Sequence, residues 1–425
     1  MKKLFFSLLL FLCSCGAYKK DPNPPITSMQ IIDRHGFAET ISNKDRIATY
    51  KAVDFLAPQP YQKVLRVYGR NAQGQSTSKI TSYHDNGQLF QYLEVTDGRA
   101  HGFYREWFAN GQLKIESYLI EGLADIHDLA QRSWIFDGVS RVWNEQGRKI
   151  AQIHYEKGLL HTPSLYYHPD GALEKIIPYE SGLIQGDLNM YDAAGFLLEQ
   201  IPYVAGKKQG QARCFWEKER PLYVENYEGD LLQEASYYDR GGKCCAQIKQ
   251  GKGQQALFKE DNLYSLVEYN QGIPDGLVSI FHPNGMLLST YIVKDNKKEG
   301  EEWEYYPHAA SEKPQAKLCV HWHDDVLQGI MKTWYSNGVM ESQREINVNK
   351  KQGLSFAWYK NGDLMLMEEY ENDMLIKGSY FKKGDKAPIS RIESGKGLAT
   401  LYTSDGIFLR KVSYEKGKPK LDEEF

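Results

Sequence analysis

Tyr83-His84-Asp85-Asn86-Gly87-Gln88-Leu89 returns as Trp107-Phe108-Ala109-Asn110-Gly111-Gln112-Leu113, and that recurrence decides the fold. The same phrase comes back as Tyr167-His168-Pro169-Asp170-Gly171 and Tyr191-Asp192-Ala193-Ala194-Gly195. Later copies are Phe281-His282-Pro283-Asn284-Gly285, Trp334-Tyr335-Ser336-Asn337-Gly338, Trp358-Tyr359-Lys360-Asn361-Gly362 and Tyr402-Thr403-Ser404-Asp405-Gly406. A fixed period in the range of roughly 20–50 residues marks a repeat array. Such arrays bind or scaffold more often than they catalyse.

Numbering each unit from its turn glycine puts four positions in register. Those glycines are Gly87, Gly111, Gly147, Gly171, Gly195, Gly285, Gly338, Gly362 and Gly406. Four residues earlier stands an aromatic stripe: Tyr83, Trp107, Trp143, Tyr167, Tyr191, Phe281, Trp334, Trp358 and Tyr402. Eight residues after the glycine a tyrosine is frequent, as in Tyr155, Tyr203, Tyr370 and Tyr414. Further glycines follow at plus 11 (Gly98, Gly158, Gly417) and plus 15 (Gly102, Gly210, Gly353).

Asn-Gly between short alternating runs is the strongest local hairpin signal and predicts a type I′ turn with positive φ at both central residues. Alternation, as in Leu197-Leu198-Glu199-Gln200-Ile201, places one set of side chains on each face of a strand. The glycines at plus 11 and plus 15 then close the return into the next hairpin. The expected architecture is all-β: an elongated array of about fourteen antiparallel β-hairpin repeats forming one long twisted sheet, with a small N-terminal cap. On this reading Asn337→Gly is close to neutral, because glycine fits the same turn.

The pattern aromatic-x-x-Asn-Gly-x-Leu followed by Tyr-x-x-Gly-x-x-x-Gly resembles the bacterial variant of MORN repeats over residues 80–417. The resemblance implies a binding or scaffolding module. Members of that family are often labelled antitoxins, and eukaryotic relatives are linked to membrane-lipid and protein scaffolding. Two units depart from the pattern, near Glu219 and near Asn262, where Asn-Gly is missing.

The remaining boundaries follow from composition. Lys2 and Lys3 precede the apolar run Leu4 to Leu12, and Leu12-Cys13-Ser14-Cys15 reads as a lipobox. The run is too short to span a bilayer, which takes about 20 residues. Residues 1–14 are therefore expected to be a lipoprotein signal peptide and Cys15 the acylated residue, with 15–27 a lipidated tether. Gly16 after that cysteine favours an outer-membrane or cell-surface destination over the inner membrane. Residues 28–79 lack the repeat and are expected to cap the array, with a strand at Met29 to Ile32 and a helix from Asp45 to Phe55 capped by Ser42 or Asn43. Residues 418–425 form a charged tail. The interval from Gly111 to Gly147 is half as long again as the others, and its surplus at Ala124 to Ala130 is expected to form a helical turn. A second insertion lies around Pro307 to Pro314.

A formal net charge of −3 with 25% charged residues gives no case for a nucleic-acid partner. Cys214, Cys244, Cys245 and Cys319 sit on strands too far apart to pair and are expected to be free thiols. His321 and His323 face one side of a strand, but two ligands do not make a metal site. No phosphate loop or nucleophile elbow is present, and no cofactor is expected. The sequence thus points to a lipid-anchored envelope protein that binds another protein. The alternatives are a carbohydrate-binding or hydrolytic envelope protein using the aromatic stripe, and an antitoxin or immunity-type binder.

Overall fold

The computed structural model describes residues 26–307 and 313–420. The signal segment, Cys15, the tether up to residue 25, the middle of the loop at 308–312 and the tail from 421 lie outside the described residues. The described chain is almost wholly β, with 38 strands and two short helices. Thirty-six strands belong to one open antiparallel sheet, most of them pairing with a strand next to or next but one along the chain. The chain divides at Gly182 into two compact units, taken separately below.

Each repeat is a hairpin whose turn is organised differently from the sequence expectation. All nine turn glycines have positive φ, between 75° and 96°, but the residue before each does not. At Tyr335–Val339 the amide of Gly338 donates to Tyr335 O at 2.9 Å, and the amide of Tyr335 donates to Val339 O at 2.9 Å. The register slips between Thr333 and Trp334 as the strand enters the turn. This is a type I turn followed by a left-handed glycine and a bulge, not a type I′ turn. The type I′ geometry sits instead at the return turns. Asp97 and Gly98 have φ of 48° and 72°, and Asn372 and Asp373 have 47° and 66°. The two units without Asn-Gly turn at Glu219 (φ 63°) and at Glu260-Asp261 (φ 47° and 68°).

Moving the type I′ pair to the return turns frees the asparagine for another task. Asn337 Oδ1 accepts the amide of Val339 at 3.1 Å, and Nδ2 donates to Lys360 O in the next hairpin at 3.0 Å. Asn86 reaches Ala109 O at 2.8 Å and Asn110 reaches Glu145 O at 3.1 Å in the same way. The near-neutrality expected of Asn337→Gly is therefore corrected: the variant removes a hydrogen bond between repeats. It is expected to lower stability by about 1 kcal/mol, read by urea unfolding. A cost below about 0.3 kcal/mol would return the asparagine to a purely local role.

The return-turn rim is stitched by the main chain. Asp373 donates its amide to Lys351 O at 3.0 Å, and its carboxylate accepts the Lys351 amide at 2.8 Å. Asp230 makes the same pair of contacts with Lys208. Where the second turn residue is glycine, as at Gly206 bonding Ile184 O, the side-chain contact comes from the neighbouring turn instead, the Ala205 amide donating to Gln185 Oε1 at 2.7 Å. In the second unit three return turns meet in a closed ring. Gly251 donates to Gln233 O, Gly272 to Gly251 O, and Leu232 to Gly272 O, all within 2.8–3.0 Å. The ring recurs with Gly395, Gly417 and Leu375.

The core lies on one face of the sheet at a position seven residues before the turn glycine. Ile80, Tyr104, Ser140 and Ser164 occupy it in the first unit, and Ala235, Val278, Ser355 and Ala399 in the second; all are buried. In the first unit Phe55, Met29, Ile41 and Ile47 pack on Tyr83 and Leu89 and close the end of the array. The helix in this cap is Lys44–Thr49, shorter than expected, with Asn43 as its N-cap accepting from the amides of Asp45 and Arg46. The N-terminal strand is Ile26–Ile32. In the second unit Leu232 and Ile248, each 1% exposed, anchor a cluster with Tyr227 and Tyr237. Burying each aliphatic chain contributes about 1.5–3 kcal/mol. At the C-terminal end Lys418–Pro419 still pairs with Tyr414 and Glu415, so the ladder extends two residues into the segment read as tail.

Candidate functional site

The aromatic stripe is structural rather than displayed. Tyr83 is 4% exposed and donates its hydroxyl to Phe55 O at 2.7 Å. Trp107, Trp143, Tyr167, Tyr191, Phe281, Trp334, Trp358 and Tyr402 are half-buried. Trp334 stacks on Trp303 at 5.6 Å, and Trp358 on Phe356 at 5.9 Å. Their main-chain carbonyls, not their rings, receive the next contact. The residue one place later in the preceding repeat donates to them: Tyr335 to Trp358 O at 2.8 Å and Tyr306 to Trp334 O at 2.7 Å. Tyr359, fully buried, does the same to Phe381 O at 2.6 Å. Sequence reasoning singled out the stripe and missed this neighbour, whose signal was a second aromatic at Tyr335 and Tyr359.

Tyr370 of the plus-8 series, and Tyr227 eight residues after Glu219, belong to carboxylate clusters. Glu225, 4% exposed, accepts hydroxyls from Tyr227 and Tyr237, each at 2.7 Å, and the Gln255 amide at 3.3 Å. Glu368 holds Tyr370 and Tyr380 at 3.0 and 2.8 Å in the same arrangement. Burial first, and then the adjacent carboxylate, pushes the phenol pKa of all four tyrosines up. Lys208 and Lys351 sit over the Tyr227 and Tyr370 rings at 4.7 and 4.6 Å and offset part of the carboxylate charge. These networks are fully bonded within themselves and serve the core.

The other residues read for chemistry are scattered. Cys214, Cys244, Cys245 and Cys319 are free, and burial pushes the Cys214 thiol up to about 12 and that of Cys319 up to about 11. His321 bonds Ile330 O through Nδ1 at 2.9 Å, and His323 bonds Glu299 at 3.0 Å. That carboxylate raises the His323 pKa, and no third ligand joins the pair. Among the described residues no group of three or more His, Cys, Asp or Glu is placed to hold a metal ion. No helix among them is long and apolar enough to cross a membrane.

What the hairpins do display is apolar surface on the face opposite the core. In the first unit Phe103 is 37% exposed; in the second, Leu277, Ile330 and Leu354 are 38–41% exposed. Each follows a plus-15 glycine and precedes the inward residue of its hairpin. Ile292 stands opposite Leu277 across the strand pair.

Hairpin units bonded rim to rim, with one face packed and the other displayed, define a β-hairpin repeat protein. Its repeat is of a known kind. Residues 327–347, which run from the return turn through the Trp334–Gly338 hairpin to Asn347, match the MORN repeat variant. Among curated proteins none matches the chain.

Proposed function

We propose that the chain is an exported, lipid-anchored repeat module that binds another protein through the outward face of its sheet. The single observation that carries this reading is the set of exposed apolar side chains Leu277, Ile330 and Leu354, at equivalent places of three hairpins in the second unit. Apolar chains repeated on one sheet face suit a partner that presents a long, partly apolar surface. The lipobox at Cys15 would hold that surface at a membrane of the cell envelope. The sugar-platform alternative needs open aromatic faces, and the stripe offers half-buried rings stacked on one another.

A photo-crosslinking amino acid at Leu277 or Leu354, used in intact cells, tests the reading. A discrete adduct that is lost in Leu277→Ser with Leu354→Ser, at unchanged melting temperature, is the expected result. Equal crosslinking from the buried Ser355 position, or no adduct at either site, would sink it. The anchor is read separately by labelling with a palmitate analogue: signal vanishes in Cys15→Ala and persists in Cys13→Ala.

A further inference from the structure

The insertion between Gly111 and Gly147 that lengthens the period also opens a cleft. Between the hairpins ending at Trp107 and Trp143 the chain inserts Ala124 to Trp134, including the helical turn Asp128–Gln131. The insert folds over the core face. Trp134 packs on Tyr104 with ring centroids 4.7 Å apart, and its indole donates to Leu123 O at 3.0 Å. Lys63 ties the insert down through Asp125 at 2.6 Å. Beneath it remains a cleft of about 520 Å³, all within the first unit.

The lining combines two kinds of surface. Tyr104, Trp134, Phe136 and Tyr155 supply aromatic walls, with Phe136 and Tyr155 in contact at 5.3 Å. Glu106, Ser117 and Ser140 supply a polar floor, and Asp128, Gln131 and Arg132 come from the insert above. Glu106 is 9% exposed and already accepts from Tyr104 at 2.9 Å and Lys114 at 2.5 Å, which leaves lone pairs on both oxygens. Ser140 is 6% exposed, and its hydroxyl has no hydrogen-bond partner among the described residues. A buried hydroxyl without a partner carries a free-energy cost, which an incoming group able to bond it would remove.

Charge narrows the class of ligand. Glu106 is paired with Lys114, and Asp128 and Arg132 add one charge of each sign to the lining, so net charge favours neither cation nor anion. The floor offers both donors and acceptors, and the walls are flat rings. That combination matches a neutral ring bearing hydroxyls on its edge and C–H groups on its faces. We infer that the cleft beneath the Ala124–Trp134 insert binds a saccharide unit, with Ser140 and Glu106 bonding its hydroxyls against the aromatic walls. The cleft belongs to the first unit and the exposed apolar row to the second, so this site stands or falls independently of the protein-binding surface.

Tryptophan fluorescence of the full chain, titrated with maltotriose, cellotriose and chitotriose, tests the inference. At least one sugar is expected to give a saturable change. Ser140→Ala is the informative variant, because removing an unpartnered hydroxyl should leave the melting temperature unchanged or raise it. The same variant is expected to weaken sugar binding about five- to tenfold, the loss of one hydrogen bond. Arg132→Ala, on the exposed rim, should weaken binding less and also leave the fold intact. Absence of saturation with all three sugars would overturn the inference. So would Ser140→Ala binding equal to the parent, or tryptophan and adenosine binding as well as the best sugar, which would mark a general aromatic slot.

Discussion

Gly251→Val should destabilise the second unit by roughly 3–5 kcal/mol, the sum of backbone strain and overpacking. Gly251 has φ of +72°, where a β-branched residue is an outlier. A Cβ there would also lie 2.6 Å from the amide nitrogen of Gly272, inside the closed ring of return turns, with no flexible side chain to give way. Gly285→Val is the matched control. That glycine has φ of +85° but nothing within 4 Å of its would-be Cβ, so only the strain of about 1–3 kcal/mol is expected. The difference between the two variants, measured by urea unfolding, isolates the contact within the ring. Hydrogen exchange should show lost protection at Leu232, Gly251 and Gly272, while the hairpin at Gly362 keeps its own, as nearest-neighbour arrays behave. Equal costs for the two variants would remove the ring from the account of stability.

The second large effect is expected at Glu225. Replacing it by Ala strands the hydroxyls of Tyr227 and Tyr237 and one amide hydrogen of Gln255 in a site that is 4% exposed at the carboxylate. Breaking a buried charged network by removing one member costs about 3–5 kcal/mol, most of it the penalty on the groups left behind. That origin has a signature. Glu225→Leu combined with Tyr227→Phe and Tyr237→Phe leaves no stranded hydroxyl and should recover most of the loss. Thermal unfolding of the single and triple variants decides the matter. A triple variant no better than Glu225→Ala would mean that shape rather than bonding holds the cluster.

Much of the fold could be read from the chain because glycine and asparagine report backbone geometry directly. The hairpin period, the antiparallel pairing and the positive φ at Gly87 through Gly406 all follow from that chemistry. The turn types were exchanged for an equally physical reason. Asn-Gly suits a two-residue type I′ turn and also the last two places of a type I turn with a bulge, and the side-chain bond from Asn337 to Lys360 O exists only in the second. The return turns use Val348-Asn349 and Asn372-Asp373 as readily as Lys416-Gly417, so no fixed dipeptide announced them. The core position was hidden because Ile80, Tyr104, Ser140 and Ala235 share burial but no chemical character. The cleft floor combines residues from several strands with an insert, and spacing alone could not bring Glu106 beside Ser140. The regularity of the aromatic stripe reflects packing, as its composition suggests, since aromatic pairs take the place of a second layer.

Both rims of the array are joined by main-chain atoms or by short side chains that reach one neighbour only. Asn110 bonds whichever residue presents its carbonyl in the following turn, and Asp373 reads nothing of Lys351 but its backbone. Through these rim bonds a hairpin reads only the backbone of the one beside it, whereas the Glu225 cluster ties particular neighbours together. Copy number becomes a variable that inheritance can alter in whole steps: a unit gained or lost by unequal recombination finds a generic socket on either side. A single residue gained inside a strand has no such latitude, because it turns every later side chain of that strand to the other face. Length in this protein is free to drift by hairpins and is held rigid within them.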